Sequence, residues 1–70
     1  MKTIVVNLDK VLDKKDISRY ELVKRTGISL DNINKYYKNN IKMFRKTTLE
    51  KICNAIDCDI SDILELKDEQ

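Results

Sequence analysis

The 70-residue chain contains one glycine, no proline, no histidine and no tryptophan. Without proline, helix ends must be read from caps and periodicity rather than from breakers. Without histidine, the common serine-protease triads and most metal-hydrolase sites are excluded. The serines, Ser18, Ser29 and Ser61, each fall where a helix cap is expected, so none is needed as a nucleophile. The two cysteines, Cys53 and Cys58, lie five positions apart, which is not the C-x-x-C spacing of a zinc or redox motif. They read as ordinary reduced thiols. The longest apolar run, Ile4-Val5-Val6, falls far short of a membrane span, and no secretory signal pattern opens the chain. These absences point to a cytoplasmic protein with no membrane partner, no cofactor, no metal and no catalytic activity. One phenylalanine and three tyrosines give little support to single-strand stacking. The stretch `DCDISD` spaces Asp57, Asp59 and Ser61 like a calcium loop, with Asp68 in the twelfth place. Its sixth place is Asp62 instead of the required glycine, and its twelfth is not glutamate, so the calcium reading is set aside.

Hydrophobic residues make up 41% and charged residues 37%, the balance of a folded chain and not a disordered one. Seventy residues suit one small domain, 1–70, burying roughly 60% of the surface its unfolded chain exposes. The net charge of +2 conceals an asymmetry. Lys14 to Lys51 carries eleven basic and four acidic residues, whereas Asp57 to Glu69 carries one basic and six acidic. A basic middle suggests a surface that faces a polyanion. On charge alone, a lysine-rich solvated face explains it as well.

Periodicity supplies the elements. `TIVVNL` is β-branched and reads as a strand over Thr3 to Asn7. Leu8, Val11 and Leu12 recur at helical spacing over Leu8 to Lys15. Ser18 opens S-x-x-E with Glu21, a capping box before a second helix, in which Glu21 also pairs with Arg25 at i,i+4. That helix meets Gly27, placed where the backbone turns left-handed, a conformation costing roughly 1 kcal/mol or more for a residue with a Cβ. Ser29 then caps a third helix, Leu30 to about Lys38. A fourth helix, with Thr47 as cap and Glu50 closing its box, turns Leu49, Ile52, Cys53 and Ile56 inward. Ser61 is expected to cap a short fifth helix carrying Ile63 and Leu64. Helix, short glycine turn, helix over residues 18–38 is the helix-turn-helix unit.

The stretch `SRYELVKRTGISLDNINKYYKNN`, followed by `TTLEKICNAIDCDISDILEL`, resembles the Xre-type, lambda-repressor-like helix-turn-helix regulators over nearly the whole chain. The markers are Glu21-Leu22, Gly27-Ile28-Ser29, Ile33, and the Leu49–Ile56 helix ending in Asp59-Ile60-Ser61. The chain departs in having Val23 where the family usually has alanine, and Leu30 and Asp31 where polar uncharged residues are common. The resemblance implies an all-α, five-helix fold. To it the sequence adds a small two-stranded ribbon of the two termini, Thr3 to Asn7 with Leu64 to Lys67, formed within one chain or between two.

On the third helix, Ile33, Tyr36 and Tyr37 form an inward set, while Asp31, Asn34, Lys35 and Lys38 line the other side. The resemblance places that outer side in the major groove. There Lys35 would donate to guanine, Asn34 would bond adenine, Asp31 would accept from cytosine and Leu30 would meet a thymine methyl. Each has a structural alternative. Asp31 suits the first turn of a helix and can pair with Lys35, a role that outweighs base reading. Leu30 can equally be partly buried. Arg19, at the opening of the second helix, matches the family position that holds the DNA backbone, and the other expected phosphate partners lie around the third helix. Ser29 and Asn32 follow at the start of the third, then Lys38, Asn39, Asn40 and Lys42 beyond it, with Arg45 and Lys46 ahead of the fourth.

The expected function is sequence-specific binding of double-stranded DNA by a small transcriptional regulator, a repressor acting by promoter occlusion. A homodimer, formed in solution or only on DNA, is the expected assembly, and the terminal strand is the first-ranked contact because Ile4 and Val6 share one side and Val5 the other. No ligand-sensing domain fits in seventy residues. The alternative is a protein-interaction module, an antitoxin or phage-type accessory factor, that uses the same fold to hold a protein partner. The acidic tail and the Ile41–Met43 loop favour it.

Overall fold

The computed structural model describes residues 1–68. Glu69, the last of the acidic residues counted above, and the final position of the expected 1–70 domain lie outside the described residues. The elements run β1 (Lys2–Val6), α1 (Leu8–Lys15), α2 (Arg19–Thr26), α3 (Leu30–Tyr37), α4 (Lys46–Ile56), α5 (Ile60–Ile63) and β2 (Leu64–Asp68). Five helices and a small antiparallel sheet of the termini are thus the architecture. The ribbon forms within one chain, with Val6 opposite Leu64, Ile4 opposite Leu66 and Lys2 opposite Asp68. Its base is fastened by the Asn7 N–H donating to the Ile63 carbonyl at 2.6 Å. β1 ends one residue earlier than the sequence suggests. The Asn7 carbonyl explains this, because it accepts from Lys10 and Val11 and so already belongs to the opening turn of α1.

One side chain or more from each helix and from β1 closes the core: Val6, Leu8, Leu12, Leu22, Ile33, Tyr36, Ile52, Ile56 and Ile63 are buried. Tyr36 meets Phe44 edge to face at 6.0 Å, which brings Phe44 inward ahead of α4 as its sequence position suggests. Cys53 and Cys58 are half-buried against this core and unbonded. Burial beside Cys53 pushes the Cys58 thiol up to about 12, so it stays protonated and unreactive at neutral pH.

The scarcity of glycine shows most clearly at the helix ends. Four helices end in a left-handed residue, and only one of the four is glycine: Asp16, Gly27, Asn39 and Asp57 have φ of 56°, 74°, 57° and 52°. Aspartate and asparagine tolerate this region better than other residues with a Cβ. At Asn39 the motif is complete. Its N–H reaches the Tyr36 carbonyl and the Asn40 N–H reaches that of Lys35, the paired bonds of a Schellman cap.

Caps at the other ends follow the sequence in part. Ser18 accepts from the Glu21 N–H at 3.0 Å and Ser29 from that of Asn32 at 3.3 Å. The Glu21 carboxylate, however, takes Arg25 Nε at 3.3 Å, the i,i+4 pair expected of it. Two expected caps are overturned. α4 begins at Lys46 with Arg45 in the cap position and no capping side chain, so Thr47 already lies inside the first turn. α5 is capped by Asp59, whose N–H donates to the Asp62 carboxylate at 2.9 Å, and Ser61 is interior. In both cases the helix starts earlier than its best serine or threonine. Leu64 likewise opens β2 and does not belong to α5.

A Cβ added at Gly27 would have no atom within 4 Å, so any cost there comes from the backbone alone. Gly27→Val should therefore destabilise the fold by about 1–2 kcal/mol, and Gly27→Asn by clearly less. Thermal unfolding checks both; an unchanged midpoint for the valine variant would refute the left-handed corner.

Candidate nucleic-acid interface

The corner between α2 and α3 is built from short local bonds. The Gly27 N–H donates to the Val23 carbonyl at 2.8 Å. Thr26 Oγ1 donates to the Leu22 carbonyl at 2.7 Å and accepts from the Ile28 N–H at 3.1 Å. Three residues therefore end one helix and start the next. With Ile33 and Tyr36 buried, the 3.6-residue repeat of α3 turns Asp31, Asn32, Lys35 and Lys38 into solvent. Leu30 is half-buried without joining the side chains packed on the core. Asp31 lies in the first turn, where its charge complements the helix dipole. Its expected partner is absent: among the described residues the ion pairs within 4.0 Å are Glu21–Arg25 and Glu65–Lys67. Lys35 thus keeps its charge free on the outer face.

Two clusters flank this face. At one end Arg19, the first residue of α2, reaches across to α3. Its Nη1 donates to Asn34 Oδ1 at 2.7 Å and its guanidinium sits 4.5 Å above the Tyr37 ring. Asn34, expected on the outer face with Lys35, is half-buried in this contact. At the other end a groove of about 620 Å³ runs between α3 and the start of α4. Its walls include Asn32, Lys35, Asn40, Lys42 and Arg45, three of them cationic, and no carboxylate. The uncapped first turn of α4, with its unpaired N–H groups, opens beside it.

The remaining expected site residues are more scattered. Ser29 spends its Oγ lone pair on the Asn32 N–H yet keeps its own proton to donate. Lys38 is exposed at the end of α3. Lys46 faces away from the basic groove, into a second one lined by Phe44, Leu49, Glu50 and Ile60. Asn39 has a part in the fold, because its Oδ1 accepts from the Val6 N–H at 2.9 Å and fastens β1 to the end of α3. An asparagine directly after a helix was a signal for the left-handed cap, though not for that long-range bond. Sequence reasoning also missed Tyr37 as the platform under Arg19. Nor did it show Arg25, which besides Glu21 contacts the Ala55 carbonyl at 3.2 Å and ties α2 to α4.

Among the described residues, no three His, Cys, Asp or Glu side chains come together to hold a metal ion. None of the described helices is long and apolar enough to cross a membrane.

Comparison with known proteins bears on the family and the fold. Residues 7–69 match the Cro/C1-type HTH DNA-binding domain. An uncharacterised HTH-type transcriptional regulator of Bacillus subtilis (strain 168), YozG, is 37% identical over 67 residues, covering 96% of this chain and 80% of that protein. The crystal structure of the transcriptional regulator VanUg superposes with a TM-score of 0.76 at 32% identity, covering 97% of this chain and 89% of that one. A structure from Bacteroides fragilis, at 17% identity and a TM-score of 0.78, covers 90% of this chain and 100% of its own, and speaks to the fold alone.

Proposed function

The chain belongs to the Cro/C1-type helix-turn-helix DNA-binding family, and on that footing we propose that it acts as a cytoplasmic repressor that occludes promoters. DNA-binding transcriptional regulation is common ground with its relatives. The finer reading concerns which residues do it. The single observation that carries it is the acid-free groove holding Lys35, Lys42 and Arg45 beside the outer face of α3. Leu30, Asp31 and Lys35 meet base edges in the major groove, as the start and middle of a recognition helix do. Arg19, Ser29, Asn32, Lys38, Asn40, Lys42 and Arg45 meet phosphates on either side. Asn39 contributes its remaining amide donors, and Lys46 a more distant charge. Binding alone accounts for repression, with no catalytic step and no cofactor.

The same family fold can hold a protein instead of DNA. The observation favouring that second reading is Met43, 81% exposed in the loop before α4. Loss of a partner protein on Met43→Lys, with duplex binding intact, would support it.

If about five cations meet phosphates, log K falls with log salt at roughly −0.9 per contact. Lys42→Ala should weaken all duplexes alike and flatten the slope by about one unit. A slope near zero for the wild-type chain would sink the DNA reading.

Assembly is the second part of the proposal. One recognition helix reads only a few base pairs, so specificity calls for two copies on half-sites about 34 Å apart. The ribbon offers the surface. Ile4 and Leu66, directly opposite each other, are 49% and 62% exposed, although Val6 on the same face is buried. Sedimentation with an inverted-repeat duplex should give a two-to-one complex, lost in Leu66→Lys. A strict one-to-one complex of the wild-type chain would defeat the dimer and leave DNA binding intact.

A further inference from the structure

The basic groove and the ribbon are absorbed by the proposal above, but the Arg19 contact is not. An exposed arginine is ordinarily a mobile side chain that loses rotamer freedom whenever it grips a phosphate. Arg19 has lost that freedom already. Its Nη1 is bonded to Asn34 Oδ1 at 2.7 Å, and the guanidinium lies over Tyr37 at 4.5 Å. Both holders belong to α3, while Arg19 opens α2. The pose of this cation is therefore referenced to the recognition helix itself. The guanidinium has five N–H groups, and one bond to Asn34 leaves four for a bidentate phosphate contact. Tyr37 touches the core with its own ring, so the platform does not depend on the ligand.

The same bond constrains Asn34. Bidentate reading of adenine needs the asparagine amide to donate with its nitrogen and accept with its oxygen. One lone pair of that oxygen is taken by Arg19, and the half-buried side chain is held toward α2 instead of being free to turn to a base edge. The sequence offers Asn34 as a base reader, whereas the geometry offers it as a brace.

We propose that Asn34 and Tyr37 are positioning residues that hold Arg19 in its phosphate-gripping pose, and that Asn34 reads no base. The inference rests on the DNA-binding reading and deepens it.

Its test is a double-mutant cycle on two duplexes, one recovered by selection from random sequences and one unselected. Tyr37→Leu and Asn34→Ala should each weaken both duplexes by roughly three- to tenfold and by the same factor. Tyr37→Phe, which keeps the ring, should bind like the wild-type chain. In an Arg19→Ala background neither change should weaken binding further, because the cation they hold is gone. A loss that persists undiminished in that background would show that Tyr37 and Asn34 merely support α3, and would overturn the proposal. So would a repeat selection with Asn34→Ala that relaxes preference at one base position and leaves the others unchanged. Should Tyr37→Leu fail to fold by circular dichroism, Asn34→Ala carries the cycle alone, since Asn34 is outside the core. A wild-type chain that binds neither duplex removes the DNA reading itself, an outcome distinct from wild-type binding without coupling to Arg19.

Discussion

Between Thr26 and Leu30 the backbone must close one helix, change direction and open another within three residues, and the rest of the molecule depends on that corner. Its angle determines which face of α3 points away from the core. The Gly27 N–H bond to Val23, the double use of Thr26 Oγ1 and the Ser29 cap satisfy the N–H groups of Gly27, Ile28 and Asn32 within the turn and the start of α3. Burial then locks the result. Ile33 and Tyr36 cannot leave the core without exposing large apolar side chains, roughly 1.5–3 kcal/mol for one such residue, so α3 cannot roll about its axis. Arg25 braces the same corner from behind through Glu21 and the Ala55 carbonyl.

The chain makes do with one glycine because its acids and amides take over elsewhere. Asp16, Asn39 and Asp57 end three helices in the left-handed region, each at a strain that the surrounding hydrogen bonds offset. Asn39 does more than end α3. By accepting from Val6 it attaches the N-terminal strand to the recognition helix, and the strand in turn carries the C-terminal one. The ribbon is thus held to the end of α3 by this hydrogen bond as well as by Val6 in the shared core, although an isolated two-stranded sheet would be marginal.

Local rules and the pairing of the two terminal strands were legible in the sequence, and side-chain contacts between distant residues were not. Leu8, Val11 and Leu12 gave α1 its bounds, and Ser18, Gly27 and Ser29 marked α2 and α3, because each signal acts on the backbone within four residues. Thr47 and Ser61 misled for a local reason too: a serine or threonine near a helix start is a cap only if the helix begins there. α4 starts at Lys46 and α5 at Ile60, the latter capped by Asp59 and Asp62. The outer face of α3 followed from its inward set, but the contact of Arg19 with Asn34 and Tyr37 joins residues fifteen and eighteen positions apart. No periodicity reports such a contact. The basic groove was half-visible, since the lysines and arginines were evident in the charge count while their convergence beside α3 required the fold.

The central claim is that one face of the molecule, the outside of α3 with Arg19 at one end and the Lys42–Arg45 groove at the other, engages duplex DNA. The most direct measurement is amide chemical-shift mapping by NMR of the labelled chain titrated with a duplex selected from random sequences. The expected result is perturbation concentrated at Arg19, Leu30 to Lys38 and Asn40 to Lys46, with α1 and the Leu49–Ile60 side of the second groove largely unmoved. Perturbations confined to the ribbon or to the α4–α5 side, with α3 silent, would contradict it.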